Sequence, residues 1–190
     1  MTVDRERAAR AVAEFLRAMG EDPEREALAR TPERVAELGA ELFAGVGVDP
    51  VVGLAAAALD DVAAVGPVAF RSVPFRSTCE HHLLPFTGTV SLVYLPGRAV
   101  AGLGALVQLV ETVAARPQVQ ERFTDEIADA VARGLDARGV LVVAEAEHGC
   151  VALRGRRVEG ATVATLAARG EYAAEPGRSE ALALVRPGAA

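Results

Sequence analysis

With 190 residues, the chain is long enough to bury the core of one domain with an appendage, and it needs no disulfide framework. Its formal net charge is -6, and every basic residue is an arginine, which argues against a general nucleic-acid-binding surface. No run approaches the ~18 apolar residues of a membrane span, and the N-terminus lacks the pattern of a secretory signal. We therefore expect a cytoplasmic protein that contacts neither membranes nor nucleic acid.

The first third of the chain carries the apolar spacing of helices. Residues 4–19 place apolar side chains on one helical face, and a short helical piece is predicted over 22–30. A threonine followed by proline begins the next helix at 31, and the alanine-rich stretch 51–64 is predicted to be helical too. We expect an N-terminal helical segment over residues 1–64, concerned with packing and assembly.

From residue 65 the pattern changes to strands interrupted by two helices, which predicts a second domain over 65–190. Its strands and helices alternate in pairs, and this is typical of the α+β class with an antiparallel sheet. Two strand pairs leave sheet edges open, so a ring-like homo-oligomer whose sheets join into a barrel is expected. The predicted strands lie at 68–75, 87–95, 140–146, 151–153 and 162–166, and the two predicted helices lie at 106–113 and 119–135.

All of the cysteines and histidines lie in two short segments. The chain has two cysteines and three histidines. They are Cys79, His81 and His82 in the first segment, and His148 and Cys150 in the second. Zinc prefers thiolate and imidazole ligands in a tetrahedral set, and a catalytic zinc keeps one position open for water. If three of these residues bind zinc, two histidines remain beside it for proton transfer, and this is a hydrolytic arrangement.

Two other interpretations of these five residues remain open from spacing alone. A closed site with two cysteines and two histidines would be structural and would leave one histidine spare. A disulfide between Cys79 and Cys150 is also conceivable, although a cysteine pair accompanied by histidines in a cytosolic protein is more often metal-binding or catalytic.

Three motifs together resemble those of GTP cyclohydrolase I. They are Ser-Thr-Cys-Glu-His-His at 77–82, Arg-Pro-Gln-Val-Gln-Glu-Arg at 116–122, and Glu-His-Gly-Cys at 147–150 followed by Arg154-Gly155. The resemblance covers about residues 5–170. It implies the tunnelling fold, an antiparallel sheet with two helices on one face, assembled as a decamer with active sites at subunit interfaces. It also implies conversion of GTP to 7,8-dihydroneopterin triphosphate and formate.

The resemblance assigns a role to each residue of these motifs. The implied zinc ligands are Cys79, His82 and Cys150, and His81 and His148 are left as the acid and base catalysts. Gln120 and Glu121 match the pair that reads the guanine edge, and Arg154 matches a phosphate contact. The implied reaction starts with attack of a zinc-activated water on C8 of the purine, followed by ring opening and loss of formate.

One stretch departs from the family pattern. The family reads Gly-Leu-Ser-Lys at the start of the first helix of the domain, with a basic residue three positions further on. This chain has Gly104, Ala105 and Gln108 at those positions. The change affects the triphosphate end of the pocket and leaves the zinc and base end intact. It favours two alternatives: a paralogue that takes a guanine compound with fewer phosphates or stops at the opened formamide, and a weakly catalytic partner subunit with structural zinc.

Overall fold

The computed structural model of the chain describes residues 3–60 and 66–185. Within these ranges the chain forms seven α-helices, and a short 3-10 helix at Glu171–Ala173 precedes the last of them. No helix in the described ranges is both long and apolar enough to span a membrane. The helices are α1 (Arg5–Ala18), α2 (Thr31–Leu42), α3 (Pro50–Ala56), α4 (Leu103–Ala114), α5 (Gln120–Gly134), α6 (Gly149–Ala152) and α7 (Gly177–Val185).

The strands of the described residues form one five-stranded sheet and one small two-stranded ribbon. Their order in the large sheet is β5-β2-β3-β6-β7, and every pairing is antiparallel except that of β2 with β5. The ribbon joins β1 to β4. The strands are β1 (Ala58–Asp60), β2 (Val68–Cys79), β3 (Pro85–Leu95), β4 (Ala99–Ala101), β5 (Pro117–Gln118), β6 (Gly139–His148) and β7 (Thr162–Gly170).

The main core lies between the sheet and the helix pair α4 and α5. Alternate residues of the central strands point into it, such as Leu92 of β3, which packs with Val110 of α4 and Ile127 of α5 in one buried cluster. The neighbouring residue Val93 points to the other face, where α7 covers it. This arrangement confirms the predicted α+β class with a largely antiparallel sheet and two helices on one face.

Some local predictions were wrong. Residues 22–30 form turns and not a helix, and residues 58–60, expected to be helical, form β1. The apolar run 151–153 was expected to be a strand, but Val151 and Ala152 lie in α6 and Leu153 is its C-cap. The prediction failed because a run of three residues carries no usable periodicity. The helix α7 was not predicted.

The boundary between the two predicted domains falls at 64 and 65, outside the described residues. Leu54 of α3 is 1% exposed and belongs to the main core, so this part of the N-terminal segment packs onto the sheet domain. The division into 1–64 and 65–190 stays a prediction.

Gly88 lies at a close approach of the two strands β3 and β6. It pairs with Ala146, and a Cβ added at Gly88 would lie 1.9 Å from the backbone oxygen of Glu145. Only a residue without a side chain lets the strands come this close. Ala146 lies two residues before His148, so this contact also fixes the position of the end of β6.

Replacing Gly88 by alanine should therefore destabilise the protein by about 1–3 kcal/mol, the usual range for overpacking, since two backbone strands must separate. Gly39→Ala is the matched control. Gly39 lies inside α2 with no atom within 4 Å of its added Cβ. The control should stabilise the protein by about 0.5–1 kcal/mol. Urea denaturation of the two variants measures both effects, and equal midpoints would contradict the assignment of Gly88.

Candidate functional site

The first cysteine stands at the end of β2, where a tight loop leads into β3. The Cys79 N–H donates to the Leu84 carbonyl at 2.8 Å, and its own carbonyl accepts from the Leu83 N–H at 2.8 Å. The Glu80 N–H donates to the carbonyl of Gln118 in β5 at 3.0 Å. The loop that carries Cys79, Glu80 and the two following histidines is thus fixed by backbone hydrogen bonds at both ends.

The second segment reaches this loop along β6. The register of β6 on β3 puts His148 directly opposite Phe86, next to the end of the same hairpin. A Cβ added at Gly149 would lie 2.7 Å from the Pro85 carbonyl oxygen, so glycine allows the chain to pass this close. The chain then turns into α6, which carries Cys150 beside Cys79.

Three potential metal ligands converge where the two segments meet. One side-chain ligand atom from each of Cys79, His82 and Cys150 lies within 4.8 Å of the other two. Cys79 is buried, Cys150 is half-buried and His82 is exposed. Two thiols and one imidazole suit zinc, and a set of three protein ligands with an exposed side leaves room for a fourth ligand from solvent or substrate. The residues therefore fit a catalytic metal better than a closed structural one.

The other two histidines lie outside this group of three. The side chain of His81 is 65% exposed and its Nε2 is 3.9 Å from Glu80. The ring of His148 stacks on Phe86 with 4.8 Å between ring centroids and 1° between ring planes. Of the five residues singled out, the structure brings the side chains of three together and leaves two histidines outside this group.

The structure argues against the two alternative interpretations of the cysteines. Both cysteines are free thiols, not a disulfide. A closed site of two cysteines and two histidines would need a second imidazole in the cluster, and among the described residues only His82 contributes one.

Burial and charge act on the titratable groups around the cluster. Burial lowers the pKa of His148, and the nearby carboxylate of Glu121 partly opposes this shift. Burial raises the pKa of the Cys150 thiol, and the neighbouring Cys79 raises it further. The Arg122 guanidinium hydrogen-bonds Glu80 and lowers the pKa of that carboxyl.

A polar network from α5 supports the loop, and no local sequence pattern indicated it. The guanidinium of Arg122 donates to Glu80, to the Pro117 carbonyl at 3.1 Å and to the Gln118 side-chain oxygen at 2.9 Å. The Gln118 amide in turn donates to Glu126 at 2.8 Å. Arg122 is part of the Gln-Glu-Arg motif, but its partner Glu80 is distant in sequence, so only the fold reveals the contact.

The three predicted substrate-binding residues lie around the cluster in different environments. Gln120 is 1% exposed, and its side-chain oxygen is 2.7 Å from His148 Nε2. Glu121 is exposed at the start of α5, and its charge acts on His148. Arg154 is exposed in the loop after α6, with Nη1 2.8 Å from His82 Nε2. All three are thus in contact with, or electrostatically coupled to, the histidines of the site.

The residues at 104, 105 and 108, where the sequence departs from the family pattern, lie on α4. Ala105 and Gln108 of α4 line a small cleft against α3, together with residues such as Asp49. None of the cysteines or histidines lines this cleft. Within one chain, the cleft at the first turn of α4 is thus separate from the group formed by Cys79, His82 and Cys150.

A model of the family described as GTP cyclohydrolase I matches residues 8–186. The chain belongs to this family. Membership makes the protein an enzyme of the GTP cyclohydrolase I type, and the cluster of Cys79, His82 and Cys150 lies inside the matched region.

Curated relatives in several bacteria carry the name GTP cyclohydrolase 1. That of Leifsonia xyli subsp. xyli is 53% identical over 98% of this chain and 98% of the relative. That of Rhodopirellula baltica is 47% identical over 96% of this chain and 80% of the relative. That of Halalkalibacterium halodurans is 45% identical over 97% of this chain and 98% of the relative. Similarity of this extent covers both the helical segment and the sheet domain.

Replacing Cys150 by serine should reduce the metal bound per chain to near zero, because a hydroxyl is a poor substitute for a thiolate. His81→Ala, which changes a residue outside the cluster, should keep the metal. Metal analysis of both purified variants, with circular dichroism to confirm folding, checks this. Full metal occupancy in folded Cys150→Ser would contradict the ligand assignment.

Proposed function

We propose that this enzyme uses zinc to open the imidazole ring of GTP and forms 7,8-dihydroneopterin triphosphate and formate. The observation that carries the proposal is the convergence of Cys79, His82 and Cys150 beside His148 and Glu121 in a chain of the GTP cyclohydrolase I family. A soft metal site with an exposed side supports hydrolysis, and an adjacent carboxylate supports recognition of a base rich in N–H donors.

Cys79, His82 and Cys150 would hold the zinc, and His81 and His148 lie outside this set. When bound, zinc supplies a water molecule activated for attack at neutral pH and acts as a Lewis acid. His148 is held against Phe86 close to the cluster, which suits it to exchange a proton with the substrate as the bond to C8 breaks. His81 is exposed on the loop, where its imidazole can exchange protons with solvent and substrate.

Glu121 is proposed to read the guanine edge. Gln120, which was predicted to be the second member of the pair, is buried beside it and contacts His148. The Glu121 carboxylate can accept from both the N1–H and the 2-amino group of guanine. A base without these donors would leave the carboxylate unpaired on binding, and such mismatches are strongly rejected. The exposure of Glu121 and its influence on His148 support a binding mode in which the guanine ring lies between these two residues.

Arg154 is proposed to bind the triphosphate. Its guanidinium is exposed and reaches the cluster from the loop after α6, where it contacts His82. A planar guanidinium can form paired hydrogen bonds with phosphate oxygens.

We expect the protein to form a homo-oligomer, with a decamer as the expected form, in which neighbouring subunits complete this site. Among the described residues β7 has no strand on its outer side, and its Val163 and Leu166 are 40% and 45% exposed. Exposed apolar residues on an open edge favour pairing with another subunit. The position of the α4 cleft away from the cluster is consistent with an active site at a subunit interface, where a neighbouring α4 completes the pocket.

The activity is tested by incubating the purified protein with GTP and measuring formate and pterin fluorescence together. Both signals should appear with the wild-type protein. His148→Ala should keep its zinc and lose turnover by ~10²- to 10⁴-fold, the usual contribution of one catalytic proton transfer. Formate without fluorescence would show that the reaction stops at the opened ring. Absence of both from zinc-loaded wild type would refute the proposed function and favour a partner-subunit role.

A second candidate function follows from Gly104 and Ala105. Serine and lysine there would offer two hydrogen bonds to phosphate, and charge-assisted bonds contribute roughly 1.5–3 kcal/mol each. This chain lacks both side chains, so an enzyme acting on guanine compounds with fewer phosphates is the alternative.

The double variant Gly104→Ser, Ala105→Lys should lower the KM for GTP more than the KM for GMP. A Cβ added at Gly104 meets no atom within 4 Å, so the serine can be accommodated. Wild-type protein should prefer GTP over GMP by less than ~100-fold in kcat/KM, or ~2.8 kcal/mol. Steady-state kinetics on GTP, GDP and GMP measure this, and a larger preference would mean that other residues bind the triphosphate.

A further inference from the structure

The amide of Gln120 is buried under the site with all of its hydrogen-bonding groups engaged. Its Nε2 lies 3.0 Å from the Ala144 carbonyl of β6 and 2.8 Å from the Val163 carbonyl of β7. The hydroxyl of Thr165 lies 3.2 Å from the same nitrogen. The amide oxygen Oε1 lies 2.7 Å from His148 Nε2. Gln120 itself is 1% exposed.

These partners fix which end of the amide is oxygen and which is nitrogen. A carbonyl oxygen only accepts, so the two carbonyls of Ala144 and Val163 each require a donor. The amide nitrogen has two hydrogens, one for each. If the amide were turned over, its oxygen would face both carbonyls and no hydrogen bond would form. The orientation that leaves no buried group unpaired therefore points Oε1 at the histidine.

The orientation of Gln120 in turn determines the protonation pattern of His148. Because Oε1 has no hydrogen to give, Nε2 of His148 must be the donor in the 2.7 Å contact. A neutral imidazole protonated at Nε2 has its lone pair on Nδ1. The parallel stack on Phe86 holds the plane of the ring, so the hydrogen bond and the stack together leave the ring one orientation.

We propose that Gln120 is a positioning residue that holds His148 in its Nε2–H form and leaves Nδ1 as the atom that exchanges a proton with the substrate. This inference rests on the proposed function of His148 as an acid–base catalyst. It differs from the expected role of Gln120 as a reader of guanine, because both hydrogens of its amide are already used within the chain.

Kinetics separate the two roles of Gln120. Gln120→Met keeps the length of the side chain and removes the amide, and it should lower kcat by ~10- to 100-fold, as loss of a supporting hydrogen bond typically does. The KM for GTP and the preference for GTP over ITP, which lacks the 2-amino group, should stay unchanged. The comparison variant is Glu121→Gln, which should reduce that preference instead.

A spectroscopic test reads the protonation pattern directly and does not depend on turnover. Since the chain has three histidines, solid-state ¹⁵N NMR of histidine-labelled, zinc-loaded protein gives few signals, and His148→Ala identifies those of His148. Wild type should show a protonated Nε2 and an unprotonated Nδ1, and Gln120→Met should show a mixture of both forms. Gln118→Met, which removes another buried amide (0% exposed), should leave the His148 signals unchanged.

Opposite results would overturn the inference. Wild-type His148 protonated at Nδ1 would do so, even if Gln120→Met failed to fold. Unchanged kcat with a raised KM and lost preference for GTP in Gln120→Met would assign Gln120 to guanine instead. Wild type that makes neither formate nor pterin fluorescence would refute the proposed function, while the NMR signals would still decide whether Gln120 fixes the ring.

Discussion

The antiparallel pairing of β3 with β6 is the interaction on which the site depends. Its register runs from Phe86 opposite His148 to Leu95 opposite Gly139 without interruption. Side chains alternate between the faces of a sheet, so a slip of one residue would turn His148 to the opposite face. It would also carry Cys150 away from Cys79. The convergence of Cys79, His82 and Cys150 is therefore a result of strand register, and the exposed loops add only the remaining side chains of the site.

Much of this site could be predicted because its residue types are rare in the chain. Two cysteines and three histidines confined to two segments indicated a metal site, and the structure brings Cys79, His82 and Cys150 together. The main helices and strands were predictable from apolar patterns over runs of seven or more residues. The same method failed at 151–153, where the run is too short to show a period, and at 58–60, where pairing with β4 overrides the helix propensity of an alanine-rich run.

The supporting contacts of the site could not have been read from the sequence. Glu80 and Arg122 lie on different elements, and nothing in their local sequence indicates that they form an ion pair. Gln118 precedes α5 and Gln120 begins it, and charged residues follow them, a pattern typical of a solvated helix start. Both are nonetheless buried, since Gln118 pairs with Cys79 within the sheet and Gln120 hydrogen-bonds the backbones of β6 and β7. The supporting role of such a polar side chain becomes apparent only once its distant partner is known.

The stack of His148 on Phe86 connects the chemistry of the site to the aromatic core. Phe86 also contacts Phe75 and Phe123 edge-on, with ring centroids 5.8 and 6.4 Å away. Many enzymes place their reacting groups on soft loops that lose order well before the scaffold melts. Here the histidine ring rests on the packed interior itself, so heat inactivation and loss of the core should be a single event. Resistance to heat and retention of activity would then be improved by the same substitutions.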